Sequence, residues 1–212
     1  SDHADKRRWA YIPECETIGT ADLNDWDFPV GTRLFKEFSL DGVRIETRIL
    51  ERMGAAPWQW AQASYLWNEE ETEAARVGPE GLENAKGTTH DIPSKTACLR
   101  CHGSAEFGGG RPSRGLGFSA VQLSHSGSGM TLAGLVGAGK LSHPPETIPT
   151  VSIDGVDREA LGYLHANCGQ CHNSTADRIA QVDLDLWLDV GVSNVEESAV
   201  WRTAVDQPTA VF

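Results

Sequence analysis

The chain has 212 residues, 40% of them apolar, with 30 acidic against 18 basic side chains and a net charge of −12. That length suits one large domain or two to three small ones, and the acidity argues against nucleic acid or anionic lipid as a partner. No run of about 18 apolar residues occurs, so the sequence holds no transmembrane helix.

The chain begins at Ser1 with no signal peptide and reads as a processed or excised product. Residues 1–88 read as a β-rich, Trp-containing domain. Leu34, Phe38 and Leu40 alternate with other residues, Asp41-Gly42 is a strong two-residue hairpin signal, and Val43, Ile45, Thr47 and Ile49 alternate again. After Pro57, the aromatic stretch from Trp58 to Trp67 reads as a third strand. Five of the seven Trp precede residue 70, and packing in a small β core is their expected role, ahead of stacking on sugars or on a cofactor edge. Glu69-Glu70-Glu71 reads as a solvated turn or helix start. Cys15 is expected to be a free, partly buried thiol, with a labile exposed thiol as the alternative.

Residues 89–145 form the next expected segment. Ser94 is placed to N-cap a short helix that leads into Cys98. Gly108-Gly109-Gly110 opens a Gly/Ser-rich stretch that reads as loop. Leu132, Leu135 and Val136 have helical spacing, ending at Gly139, and His143 to Pro149 reads as a linker. In residues 146–212 the best helix runs from Asp157, a candidate cap, to Asn167, with Leu161, Leu164 and His165 on one face. It runs directly into Cys168.

Two copies of Cys-x-x-Cys-His carry the chemistry: Cys98-Leu99-Arg100-Cys101-His102 and Cys168-Gly169-Gln170-Cys171-His172. At this composition about 0.004 copies are expected by chance, so neither is accidental. The pattern is the covalent attachment signature of c-type haem. Two thiols add across the porphyrin vinyl groups, and the adjacent His ligates iron from the proximal side. The expected cofactors are two covalently bound c-type haems, held by Cys98, Cys101 and His102 and by Cys168, Cys171 and His172. A four-ligand zinc site is disfavoured by the long gap between the motifs, and zinc does not require a His after each pair. A thioredoxin-like pair lacks its βαβ surroundings.

Six blocks occur in order: 26–32, 44–48, 65–68, 92–103, 116–123 and 163–172. They include Trp26-Asp27-Phe28-Pro29, Tyr65-Leu66-Trp67-Asn68 and Tyr163-Leu164-His165-Ala166-Asn167. Together they resemble a family of exported bacterial dihaem c-type cytochromes in which a β-rich segment precedes the first haem motif. The resemblance covers nearly the whole chain. It implies haem binding more firmly than any reaction, and a location in the periplasm or at the cell surface. Family members look longer at both ends. The expected fold is α+β: a β-rich N-terminal domain followed by mainly α-helical cytochrome c-like haem domains, the second truncated at its end.

The sixth ligand separates a carrier from a reactive centre. Met130 is the expected distal ligand of the first haem and His125 the runner-up; Met53 is expected to be ordinary packing. No Met or His follows His172. The second distal ligand therefore lies beyond Phe212, which is preferred, or comes from His90, His143 or Met130, or the second iron is open. His165 precedes Cys168 on its own helix and is not favoured as a ligand. The leading function is electron transfer, as a module of a larger redox protein or complex, with redox proteins as partners and a basic partner favoured electrostatically. The alternatives are a dihaem peroxidase or oxygenase with one open iron, in which His125 or His143 serves as acid or base, and a zinc-structured interaction module.

Overall fold

The computed structural model describes residues 3–56, 59–102, 115–149, 153, 155–174 and 183–207. Its largest regular element is a five-stranded antiparallel meander in sequential order: β1 (Asp5–Tyr11), β2 (Arg33–Leu40), β3 (Val43–Arg52), β4 (Trp60–Trp67) and β5 (Ala74–Arg76). The β2–β3 hairpin turns at Asp41 and Gly42, with φ of 50° and 81°. Both are left-handed, the twist a tight hairpin needs, and Gly at the second position takes it without strain. Strand β1 was not legible in the sequence, because Asp5-Lys6-Arg7-Arg8 has no apolar alternation and β1 is held by its ladder to β2.

A bulge shapes the middle of the sheet. Register passes from Phe38 opposite Glu46 to Ser39 opposite Arg44, so Ile45 is the extra residue. A bulge turns two successive side chains to nearly one side. Ile45 and Glu46 are 1% and 0% exposed. Ile45 packs with Ala85 and Ile92, while the Glu46 Oε2 lies 2.8 Å from His90 Nε2. Arg48 closes the group from the same strand, donating from Nε and Nη2 to the two Glu46 oxygens at 2.7 and 2.9 Å. A buried carboxylate is tolerable only when its oxygens are so filled.

The rest of the chain corrects the expected fold class. It is not a mainly helical cytochrome c-like region. Among the described residues the helices are five and short: α1 (Lys95–His102), α2 (Ala120–Leu123), α3 (Leu132–Gly137), α4 (Gly155–Asn167) and α5 (Ala199–Ala204). Only α4 exceeds eight residues, and the segment before Asp189 runs without helix or strand. Part of the physical reason is punctuation: Gly103 follows α1, Ser124 follows α2 and Gly137 ends α3, each after about two turns or fewer. Ser94 does cap α1, its Oγ accepting from Ala97 N–H at 3.2 Å. Asp157 does not cap α4 but sits in its first turn.

The main apolar cluster joins chain regions far apart. Ile18, Trp26 and Phe28 pack with Ala120, Leu123, Leu132, Leu135 and Leu141. Trp60 lies edge-on to Phe28, with ring centroids 6.0 Å apart. Trp26 and Trp60 thus pack as expected, whereas Trp9 is half exposed; Pro57, Trp58 and Gly108 to Gly110 lie outside the described residues. The 143–149 stretch is not a free linker at its start. Ile18 N–H donates to Lys140 O at 2.8 Å, and Thr20 exchanges hydrogen bonds with His143 at 3.0 and 3.1 Å. Among the described residues no helix is long and apolar enough to cross a membrane.

Glu46→Ala is expected to lower the unfolding free energy by about 3 kcal/mol, since it leaves buried donors without their acceptor. Urea denaturation measures this, and Glu46→Gln, which keeps the shape and part of the bonding, should lose less.

Candidate functional site

The first motif lies along the end of α1. Cys98 and His102 are half-buried and Cys101 is exposed as a residue. Residues 103 to 114, which include the first part of the Gly/Ser-rich stretch expected as loop, lie outside the described residues, and the later part of that stretch contains the short helix α2.

The second motif is an interior turn. α4 ends as Cys168 N–H donates to Leu164 O at 2.8 Å, and the chain then winds tightly, with Cys171 and His172 N–H both returning to Cys168 O at 3.0 and 2.9 Å. Asn173 Nδ2 closes the turn onto Gly169 O and Gln170 O at 2.8 and 3.0 Å. His172 O accepts from Leu186 N–H at 2.9 Å. A Cβ on Gly169 would stand 2.7 Å from Leu186 O and 2.9 Å from His165 O. The glycine is there because the backbone of the 183–190 segment passes against it. Cys168 packs on a second core of Ile153, Leu161, Leu186, Leu188 and Val200.

His165 is explained by this packing. It is 3% exposed, its Nδ1 accepts from Leu188 N–H at 3.0 Å, and its ring meets Trp187 edge-on at 4.4 Å. With Nδ1 accepting, Nε2 carries the proton and points to Ser119 Oγ at 3.5 Å. It is a tie between α4, Ser119 and the 183–190 segment, and it does not face solvent.

Two polar atoms of the second motif are buried without a hydrogen-bond partner among the described residues: His172 Nδ1 and Gln170 Nε2. Such atoms cost about 1–3 kcal/mol each and mark places where a further group is wanted.

The fold brings the two motifs together. Cys171 of the second motif comes near enough to Cys101 of the first to act on its thiol. Burial pushes the Cys101 thiol pKa up, and Cys171 adds to the shift. Burial also raises the Cys98 thiol, with Glu46 acting in the same sense and Arg48 against it. Cys98 therefore lies within electrostatic reach of the buried Glu46–Arg48 pair. Sequence reasoning missed this juxtaposition, which depends on contacts between distant segments. Among the described residues no group of three or more His, Cys, Asp or Glu is gathered as a metal cluster.

The expected distal residues fall in different settings. Met130 is 37% exposed in the turn before α3, and His125 is exposed with its Nδ1 accepting from Gly127 N–H at 3.1 Å. His143 is exposed beside Ser142 Oγ at 2.9 Å. His90 is 1% exposed and its Nε2 is engaged by Glu46. Met53 is 60% exposed and so is not a packing residue. Cys15 is an exposed free thiol, not a partly buried one.

Lys36, two residues before Phe38 on β2, shows the local field. Its pKa is lowered to about 8 by burial first and then by Arg8, Arg48 and Lys6. Family models, curated proteins and solved structures contain no match to this chain.

Gly169→Ala is expected to lower the unfolding free energy by about 2 kcal/mol through the forced shift of the Leu186 backbone. Gly162→Ala, at a helical position with open space, should instead be neutral or stabilising, and thermal melts of the two variants compare them. Lys36 supplies a pH test on the ligand-free chain. Its folded pKa of about 8 lies below its ordinary 10.5, so the unfolded chain binds more protons between these values and stability rises with pH there. Lys36→Met should therefore stabilise the chain at neutral pH. That gain should shrink above about pH 8 and vanish near 10.5 in urea titrations.

Proposed function

We propose that this chain is a dihaem c-type cytochrome module whose work is electron transfer between redox proteins. Cys98 and Cys101 hold one haem with His102 as its axial ligand, and Cys168 and Cys171 hold the other with His172. The observation that carries the reading is the presence of two complete Cys-x-x-Cys-His motifs, with Cys171 of one near enough to act on Cys101 of the other. Thioethers formed at these two sulfurs would bring the edges of the two porphyrins near each other. Adjacent redox groups exchange electrons without a mobile carrier, which suits a relay better than two independent sites. The donor set supports the same reading. None of the four motif thiols is tied up in a disulfide, so each is available for a thioether. When bound, haem supplies the one-electron couple. The chain's part is to fix its orientation, set its exposure and place charges around it. The acidity of the chain favours a basic redox partner, and covalent attachment places maturation after export.

The test is the optical spectrum of the protein produced with a haem-attachment system. Sharp Soret and α bands that survive acid–acetone extraction are expected, with two haems per chain. Cys98→Ala and Cys168→Ala should each remove about half of the covalent haem. Colourless protein with stoichiometric zinc would sink the proposal. Rapid binding of CO by the reduced protein at one haem would replace the carrier by an enzyme with an open iron.

A further inference from the structure

Strands β1, β2 and β3 carry a row of three cations in direct register. Arg8 pairs with Lys36, and Lys36 pairs with Arg48. The next row on the same face is Lys6, Phe38 and Glu46. Three cations converge on the Phe38 ring: Arg48 at 4.3 Å, Lys36 at 5.0 Å and Lys6 at 5.8 Å from its centroid. Like charges directly opposite each other destabilise a sheet. The nearest carboxylate, Glu46, does not neutralise the row, because both its oxygens are already taken by Arg48 and one also by His90. Among the described residues neither Arg8 nor Lys36 has a carboxylate within ion-pair distance. A chain of net charge −12 has thus concentrated four cations on one sheet face and left three without an acid.

We propose that this row is the seat of the two propionates of the haem attached at Cys98 and Cys101. The inference rests on the haem reading above. Arg48 is the end of the row tied to the first motif: it holds Glu46, and Glu46 holds His90 in the segment that leads into α1 and Cys98. Neighbouring strands are about 4.8 Å apart, so Arg8 lies about 10 Å further across the sheet. In a porphyrin the vinyl edge, fixed by the thioethers, and the propionate edge are opposite and separated by about that distance. A haem anchored at α1 would carry its two carboxylates on the edge away from the thioethers, and Lys36, Arg8 and Lys6 would be the residues to pair with them. Carboxylates there convert a repulsive ladder into charge-assisted pairs.

Spectroelectrochemical titration of the haem-loaded protein tests this on Lys36→Met, Arg8→Gln and the double variant, with Arg76→Gln on β5 as control. Haem content is first counted by pyridine haemochrome. One of the two redox waves should move to lower potential, with the reduced-to-oxidised ratio at fixed poise falling about tenfold per charge removed. The other wave and the Arg76 control should stay in place. Two haems with both waves unmoved, or both moved alike, overturns the propionate seat and leaves the haem reading intact. Absence of covalent haem in the unmutated protein overturns both. Added phosphate should leave the unmutated protein's waves unchanged; a phosphate-induced shift like that of Lys36→Met marks an open anion site and overturns the assignment.

Discussion

The carboxylate of Glu46 is the constraint on which the surroundings of the first motif depend. It is fully buried, and it survives there because Arg48 grips it with two donors and His90 with a third. The bulge at Ile45 is what turns it inward beside an apolar neighbour. His90 comes from the stretch that leads through Ser94 into α1, and that stretch is pinned further by Leu82 and Ile92, which exchange backbone hydrogen bonds at 2.9 and 2.8 Å. The strand, the buried acid and the short helix carrying Cys98 are therefore one mechanical unit. Replacing the trio by apolar side chains would cost little in principle, since desolvation offsets much of the attraction. Losing one member is what the structure cannot absorb.

The two motifs are held by different physics. The second is locked from several sides: a helix end, an Asn side chain across the turn, and a backbone so close that only glycine fits at position 169. The first rides on an eight-residue helix with no fully buried residue, fastened chiefly through the segment before it. Under the proposed haem reading, the chain alone shapes the second site, whereas the helix carrying the first motif has no fully buried residue. The cation row fits that reading, since under it the unmatched positive charge on the sheet face would be completed by the haem carboxylates and not by the chain.

Local signals in the sequence were reliable where a short rule governs a short segment. Asp41-Gly42 gives the hairpin, Ser94 the cap of α1, and the Leu161 to His165 spacing the long helix. The six motif residues stand out as clearly, because Cys-x-x-Cys-His is a chemical pattern and not a packing one; the haem attachment it points to is the proposal above. What escaped depends on contacts between remote residues. β1 exists only through its pairing with β2, and the bulge shows in no alternation pattern. The cluster of Trp26 and Phe28 with Leu132 and Leu141 unites segments about a hundred residues apart. The expectation of a helical second half failed for the same reason. α4 was read correctly, but its character was extended to neighbours that hold their shape by docking against it, as the 183–190 segment does through His165.

Net charge and local field point in opposite directions in this chain, and the difference has a functional sense under the proposed reading. A charge of −12 describes what a distant partner meets, and attracts a basic one. Lys36 meets the reverse: partly buried and surrounded by Arg8, Arg48 and Lys6, it has lost much of its affinity for a proton. Screening over about 8 Å at physiological ionic strength separates these two scales. The row can therefore bias a redox group a few ångströms away toward the reduced state while the outer surface still presents an acidic face. If propionates neutralise the row, they also raise the proton affinity of Lys36 back toward its ordinary range. Loading of the first site and protonation of Lys36 then become thermodynamically linked, each favouring the other.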